Sequence, residues 1–506
     1  MRIEPQWTER AEKRGLDPLG QQNSGIALYQ TLLPGISNVT PRLRYFGYYC
    51  WVSDTYARRS GSTNFEEWRR WIRRSEAVLA LVSAHIGGET AIGGIDWATN
   101  ALRSATDVID FTEAAEVDSV RPYLRQQMGI FGGAYVSQLL ETGLFSLSDQ
   151  HSLAMASAKT GRPLAQAFRD SIGEAEHLLI EAIETGVTSL SHLAALQAIL
   201  PSRIDPGSAE AGLYREMLVG NEQSENERDR SRRESLRLSL FVADAIGKRP
   251  TSDDVRWSLF DPTSPVPADL EDHRLAWETY HTHDLFQLAS AGLFAWALNE
   301  LASPAYGKSY DEIAEDLRMA LTEQSDRFSS IAWDDYTTEQ HASLEDIRTW
   351  ADLLTSRRTL ATDLLEPAIR LIAAMANRVD SRADLRAAVE TRFQLAPTVR
   401  SVRSELQWLQ SRAKQSVPDV IADYLVQRIL KRHAEVAMRK LRYQRDYTFH
   451  FEANEGRLTR RFSYEPVMTS PRLGSALQIL ADLQLLDQGG ATAIGKALMV
   501  GANDAA

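Results

Sequence analysis

The chain has 506 residues, enough for about two to four domains, and its 43% hydrophobic and 25% charged residues are typical of a globular protein. Its net charge of −12 excludes nucleic-acid binding through overall charge, so any such site must be a local basic patch. The single cysteine, Cys50, excludes an internal disulfide and a zinc site built from several cysteines.

Nothing in the chain predicts a signal peptide or a membrane span. The start, 1–6, is polar and lacks the apolar core of a signal peptide. The longest apolar run, 285–298, is too short to cross a membrane and suits a buried core helix. We therefore expect a cytoplasmic protein.

The first strong helix signal is rich in aromatic residues and arginines. Pro34-Gly35 predicts a turn, and Thr40 followed by Pro41 predicts an N-cap and a first helical residue. The side chains of 45–52 are apolar or aromatic almost all round. Such a helix is either buried or covered by a partner.

This run resembles the N-terminal module of uncharacterised bacterial proteins that are often encoded among anti-phage defence genes. The shared pattern is a Leu-Gly start, a Leu-Pro-Gly turn and an Arg-x-Arg-Tyr-Phe run that ends in tryptophan. It covers less than a tenth of the chain, implies a defence context and brings no catalytic residues with it. The matching positions are Leu19, Gly20, Leu33, Pro34, Gly35, Arg42, Arg44, Tyr45, Phe46 and Trp51.

Arginines accumulate in the same region, where eight lie between Pro41 and Arg74 against three acidic residues. Arginine favours two-pronged contacts to carboxylate or phosphate. Two alternatives stay open: the aromatic residues form the core of one helical domain, and the arginines form an internal salt-bridge network. The predicted partner-binding residues are Arg42, Arg44, Tyr45, Phe46, Trp51, Arg69 and Arg73.

Helical periodicity dominates most of the chain and predicts a mainly α fold. We expect an N-terminal helical domain in 1–204, a linker with a charged helix in 205–268, and a second helical domain in 269–417. Residues 418–506 are expected to form a basic helix, one β-hairpin and a winged-helix-like α+β unit. The predicted helices include a helix capped by Asn64, then 123–141, 163–172, 174–184, 191–200, 232–246, 270–301, 310–323, 344–355, 359–378, 382–393 and 399–415.

The C-terminal region carries the clearest β signal. Alternating residues in 447–451, a turn at Asn454-Glu455-Gly456 and a return in 457–464 predict a hairpin. A further helix begins near Ser470, with leucines on one face. The tail 492–498 resembles the end of many winged-helix domains.

A basic helix over 418–445 is the strongest candidate contact surface. Its cations fall on one face at 100° per residue, and 428–461 contains ten basic and four acidic residues, a net of +6. Such a stripe can bind phosphates without reading bases. The alternative is a solvated face neutralised by the protein's own acids. The predicted nucleic-acid-binding residues are Arg428, Lys431, Arg432, Arg439, Arg442, Arg457, Arg460 and Arg461.

Two other motifs suggest enzymatic chemistry but fit it poorly. His281 and His283 point about 200° apart on a helix and cannot share a metal, so a buried, hydrogen-bonded histidine is the default. The run 490–497 is close to a phosphate-binding loop, but no Ser or Thr follows Lys496 to hold Mg²⁺. We therefore predict no cofactor, no metal site and no catalytic residue.

These observations favour a non-catalytic subunit of a bacterial anti-phage defence complex, an adaptor or scaffold. It would bind other subunits of that complex and contact DNA or RNA through its basic face. The alternatives are a divergent metal-dependent hydrolase acting on nucleic acid, and a scaffold that binds only proteins.

Overall fold

A computed structural model describes residues 17–39, 41–148, 151–219, 226–304, 306–324, 331–394 and 399–499. Within these ranges the fold is mainly α, as predicted, and the sheets that occur have two strands each. No helix in the described ranges is both long enough and apolar enough to cross a membrane.

The helices of the first half, in chain order, are α1 (Gln22–Leu32), α2 (Arg44–Arg59), α3 (Phe65–Ile86), α4 (Ile95–Ser104), α5 (Val136–Glu141), α6 (Gly161–Ile172), α7 (Ala175–Thr185), α8 (Leu190–Ala195), α9 (Ala209–Val219) and α10 (Glu227–Ile246). A π-helical segment, Phe131–Tyr135, precedes α5, and a 3-10 segment, Leu196–Ile199, follows α8.

The second half continues with α11 (Ser252–Phe260), α12 (Glu271–Glu300), α13 (Tyr310–Gln324), α14 (Trp333–Glu339), α15 (Leu344–Thr355), α16 (Leu365–Ser381), α17 (Ala383–Arg392), α18 (Val402–Gln410), α19 (Val417–Tyr424), α20 (Lys431–Gln444), α21 (Leu473–Asp482) and α22 (Ala493–Met499). Two 3-10 segments, Ala268–Leu270 and Ala361–Leu364, precede α12 and α16. A π-helical segment, Leu425–Leu430, joins α19 to α20.

In the described part of the chain, the strands pair antiparallel in four small sheets. The pairs are β1 (Val108–Asp110) with β4 (Val187–Ser189), β2 (Phe145–Leu147) with β3 (Ala154–Ala156), β5 (Phe451–Asn454) with β6 (Arg457–Arg460), and β7 (Leu486–Asp487) with β8 (Gly490–Ala491). Only the β5–β6 hairpin was predicted. The other strands have two or three residues each, too few for an alternating pattern to be visible.

The described chain forms two compact units. Unit 1 comprises 17–29, 259–264 and 274–469, and unit 2 comprises 30–258, 265–273 and 470–499. This division differs from the four consecutive segments that we predicted. The predicted C-terminal region is divided between the units, because the hairpin belongs to unit 1 and α21, β7, β8 and α22 belong to unit 2. The winged-helix resemblance of 492–498 therefore stays a prediction.

Helix α2 lies in the core of unit 2, because its side chains offer no polar face. All residues from 44 to 53 are buried. Their rings pack closely, with Tyr45 stacked on Tyr135 at 4.9 Å between centroids. The helix begins at Arg44 rather than at the predicted Pro41. The predicted cap, Thr40, lies outside the described residues.

Helix α3 begins where its sequence predicts. The side chain of Asn64 accepts hydrogen bonds from the backbone N–H groups of Glu66 and Glu67, at 2.8 and 3.2 Å. These bonds satisfy two of the free donors at the helix start. The buried carboxylate of Glu76, on the same helix, accepts from the backbone of Ile130 and Phe131 at 2.9 and 2.7 Å.

The predicted helix over 123–141 is wrong in its first half. Arg73 donates to the carbonyls of Ala115, Leu124 and Gln126, at 2.5, 2.9 and 2.5 Å. Gly129 has a φ of +59°, which a right-handed helix cannot contain. The segment is therefore shaped by α3, and the first helical element in this part of the chain is the π-helical segment Phe131–Tyr135.

Two further helices differ from their predictions in a physically simple way. The predicted helix 359–378 becomes α-helical only at Leu365, so Pro367 lies in the first turn of α16. Proline is tolerated there, since the N–H it lacks would have no helical partner. The predicted helix 399–415 is shorter, and α18 ends at Gln410.

Helix α12 has 30 residues and contributes most of its length to unit 1. It is buried on every side from Trp277 to Leu298. Polar groups inside it are paired within the unit: Glu278 accepts from Arg274 at 3.1 Å and from Arg378 at 2.5 Å. The predicted buried core helix is confirmed.

Replacing Gly129 tests how α3 shapes the segment that follows β1. A Cβ at Gly129 would lie 2.1 Å from a carboxylate oxygen of Glu76 and from the hydroxyl of Tyr123. We expect Gly129→Ala to lower the free energy of unfolding by about 2 kcal/mol or more. The cost of a positive φ for alanine and the cost of this clash add together. Urea titration followed by tryptophan fluorescence measures the change.

Gly133→Ala is the matched control. Gly133 lies in the adjacent π-helical segment, and an added Cβ there meets no atom within 4 Å. We expect it to be neutral or slightly stabilising, by less than about 1 kcal/mol. Equal losses in the two variants would contradict the role given to Glu76 and Gly129.

Candidate nucleic-acid interface

The arginines predicted to bind a partner at the N-terminal run are mostly buried in unit 2. Arg44 pairs with Glu210 through two nitrogen–oxygen contacts of 3.0 Å and donates to the carbonyl of Leu200 at 2.9 Å. Arg42 pairs with Glu89 at 2.6 Å and with Asp482 at 3.3 Å. Arg73 is also fully buried, and its guanidinium group donates hydrogen bonds to backbone carbonyls.

The predicted aromatic contact residues share this placement. Tyr45, Phe46 and Trp51 are all buried. The indole nitrogen of Trp51 donates to Glu176 at 2.8 Å. Their rings and hydrogen-bonding groups face the protein's own interior and offer no surface to a partner in this fold. The alternative stated for them, the core of one helical domain, describes them better.

Arg69 differs from the other six, because it is partly exposed and pairs with Glu66 one turn earlier on α3. Cys50 lies in the same aromatic run and is buried. Burial raises the pKa of its thiol, so it remains protonated at neutral pH and is a core residue rather than a nucleophile.

The basic helix is divided along its length between internal and exposed cations. Arg428 contacts the buried Glu405 through two nitrogens, at 2.9 and 2.7 Å. Arg432 is buried and donates to the carbonyl of Leu19 at 3.2 Å. Both arginines were predicted to contact phosphates, but they bind acceptors inside unit 1 instead. Lys431 is exposed, donates to Gln427 at 3.1 Å and lies over the ring of Tyr310.

One side of α20 holds the loop that precedes α1, with contacts that extend from Arg432 to Lys440. His433 donates from Nδ1 to the carbonyl of Pro18 at 3.1 Å and accepts at Nε2 from the backbone N–H of His450 at 3.0 Å. Lys440 donates to the carbonyl of Asp17 at 3.0 Å. Burial and the neighbouring His450 lower the pKa of His433 to about 3, so its ring is neutral.

Three arginines near the end of α20 take no part in this packing. Arg439, Arg442 and Arg445 are exposed, and no hydrogen-bond or ion-pair partner occurs for them in the described ranges. We call these three residues the basic tip. Arg445 ends the helix with a φ of +57°. The sequence did not single it out, because at 100° per residue Arg445 lies about 100° away from the direction of Arg428, off the predicted face.

Unit 1 also contains the three hairpin arginines, and two of them are paired. Arg457 contacts Glu312 at 3.0 Å, and Arg461 contacts Glu452. Arg460 is exposed and has no partner in the described part of the chain. The hairpin thus offers one cation that is not paired with an acidic residue.

The histidine and aspartate motif on α12 is built into the interior of unit 1. His283 donates from Nε2 to the carbonyl of Gln21 at 3.0 Å and accepts at Nδ1 from Val402 N–H at 3.1 Å. Asp284 accepts from the hydroxyl of Thr469 at 2.8 Å. The default prediction for His283 is confirmed. The ranges that the structure describes contain no group of three or more His, Cys, Asp or Glu placed to hold a metal ion.

Comparison of the chain with protein-family models, with curated proteins and with solved structures returns no match. The functional argument therefore rests on the geometry of the described residues.

Replacing Arg44 tests whether the N-terminal arginines are internal pairs. We expect Arg44→Ala to lower the free energy of unfolding by about 3–5 kcal/mol, because it leaves Glu210 buried without its counter-charge. Arg59→Ala is the control: Arg59 is 50% exposed where it pairs with Glu184, and its loss should cost less than about 1 kcal/mol. Similar losses in the two variants would contradict the burial of Arg44.

Because of His433, the free energy of unfolding is expected to fall as the pH falls. The pKa of His433 is about 3 in the folded state and near its usual 6.5 in the unfolded state, so only the unfolded state gains a proton between these values. Stability from this group is present above pH 6.5 and is lost as the pH falls. From pH 7 to pH 5 the loss is about 2 kcal/mol.

Urea titrations of the native chain and of His433→Gln at both pH values isolate this contribution. The native chain should lose about 2 kcal/mol more than the variant on going from pH 7 to pH 5. Equal pH dependence in the two proteins would contradict a neutral, buried His433.

Proposed function

We propose that this chain is a non-catalytic subunit of a bacterial anti-phage defence assembly that contacts nucleic acid through the basic tip in the cytoplasm. The observation that carries the nucleic-acid part is the exposure of Arg439, Arg442 and Arg445 without acidic partners in the described ranges. The defence context rests on the resemblance of the N-terminal run. The partner subunits would be other proteins of the same assembly.

The charge balance of the chain supports a functional reason for these cations. The net charge is −12, with 68 acidic residues against 56 basic ones. Acids are therefore abundant enough to pair with exposed arginines, as Glu184 and Glu116 do with Arg59 and Arg70. Three neighbouring arginines without such partners form a local cation cluster that suits phosphate groups.

The spacing of the basic tip also suits a phosphate backbone. Arg439 and Arg442 are three residues apart on α20 and thus neighbours on the helix surface. Arg445 follows at the helix end. Each guanidinium presents several donors in a fixed plane, which matches the oxygens of a phosphate. Binding by these contacts alone would not depend on base sequence.

A salt-titrated binding assay with the full chain tests the proposal. Fluorescently labelled single-stranded DNA, duplex DNA and RNA are titrated with the native protein and with a variant that carries Arg439→Gln, Arg442→Gln and Arg445→Gln. Each phosphate contact adds about 0.7–0.9 to the slope of log affinity against log salt. We expect the triple variant to bind weakly and to lose about 2–3 from that slope.

The control variant carries Arg59→Gln, Arg70→Gln and Arg370→Gln. It loses the same number of charges from two exposed arginines and one half-buried arginine, each paired with an acidic residue. Native-like binding by the control together with weak binding by the basic-tip variant supports the proposal. No binding by the native chain at about 50 mM salt, or equal binding by the two variants, would contradict it and favour a scaffold that binds only proteins.

A further inference from the structure

The basic tip lies among exposed apolar and aromatic side chains. Tyr443 is 76% exposed, Met438 is 51% exposed and Leu441 is 38% exposed, all on the last two turns of α20. Tyr443 is four residues after Arg439, so these two side chains are neighbours on the helix surface. An isolated exposed tyrosine is ordinary, but this one lies on the same two helical turns as the three arginines of the basic tip.

A row of ring contacts continues after the helix. The centroid of Tyr447 lies 5.3 Å from that of Phe449, which lies 6.5 Å from His433. His433 lies 5.4 Å from His450, and His450 lies 6.4 Å from Phe462. We call these five residues the aromatic row.

The middle of the aromatic row is buried, and the residues at its ends are partly exposed. The imidazoles of His433 and His450 are buried, whereas Tyr447 and Phe449 are partly exposed and Phe462 is 37% exposed. The hydrogen bonds from His433 to Pro18 and from His450 N–H to His433 fix the buried part. The outer rings are thus held in place without being covered.

We propose that the basic tip and Tyr443 bind single-stranded nucleic acid, with an unpaired base stacked on the Tyr443 ring and phosphates on the arginines. This inference rests on the proposed function and names its substrate class. Base stacking on an aromatic face requires a base that is free of its partner strand. A duplex keeps its base faces inside its own stack and offers only groove edges and phosphates.

The combination of cations and exposed rings favours a single strand over a duplex. A surface made only for duplex phosphates gains nothing from Tyr443, Met438 and Leu441, which would lie against a charged, hydrated backbone. A single strand presents apolar base faces and phosphates together, which matches the mixed character of this helix end. The stacking is not selective for sequence, because every base has an aromatic face.

Replacing Tyr443 separates stacking from charge. We expect Tyr443→Ala to weaken binding to single-stranded DNA or RNA roughly five- to a hundredfold, without changing the salt slope, because no phosphate contact is lost. Duplex binding should be unchanged. Tyr443→Phe keeps the ring and should bind like the native chain. Separate DNA and RNA oligonucleotides of one sequence show which sugar is preferred.

Tyr306→Ala is the matched control, because Tyr306 is 86% exposed in the same unit and its side chain is as accessible as that of Tyr443. It should leave binding unchanged. Native-like binding by Tyr443→Ala, or equal weakening on single strands and duplex, would overturn this inference. If the basic-tip variant still loses binding in that case, the proposed function stands without it. If the basic-tip variant binds normally, both fail.

Discussion

A guanidinium group keeps its charge at physiological pH, so an arginine that leaves water must find acceptors inside the protein. This constraint separates the buried arginines of the chain from those of the basic tip. Arg44 and Arg73 in unit 2 use carboxylate or carbonyl acceptors and are buried, and Arg428 and Arg432 in unit 1 are similarly engaged. The basic tip has no such acceptors in the described ranges and lies in solvent. The division separates structural cations from those available to a ligand.

The helices were largely predictable because a buried face repeats every three to four residues, and such a pattern is local. Helix α15 has the predicted bounds, and α3 begins after the predicted cap, Asn64. The stretch before Phe131 was not predictable in this way. Its conformation depends on Arg73 and Glu76, which are about fifty residues earlier in the chain and bind its backbone groups directly. No local pattern contains that information.

The candidate site was predictable in part, for a related reason. The sequence identifies a cluster of cations on one helix, but it does not show which of them meet an acceptor. Arg428 and Arg432 were grouped with Arg439 and Arg442 because ideal helical spacing puts them on one face. The π-helical segment Leu425–Leu430 changes that spacing for Arg428. The loop 17–19 covers Arg432 and leaves Arg439 and Arg442 exposed. Exposure therefore depends on position along the helix as well as on its face.

The central claim is that a nucleic-acid strand lies on the end of α20. Photo-crosslinking of the full chain to a single strand that contains 5-bromouracil, with crosslinked residues identified by mass spectrometry, tests this most directly. We predict crosslinks concentrated between Met438 and Phe449, with Tyr443 the most frequent, and their loss when the three arginines of the basic tip become glutamine. Crosslinks that lie elsewhere in the chain and persist in that variant would contradict the claim.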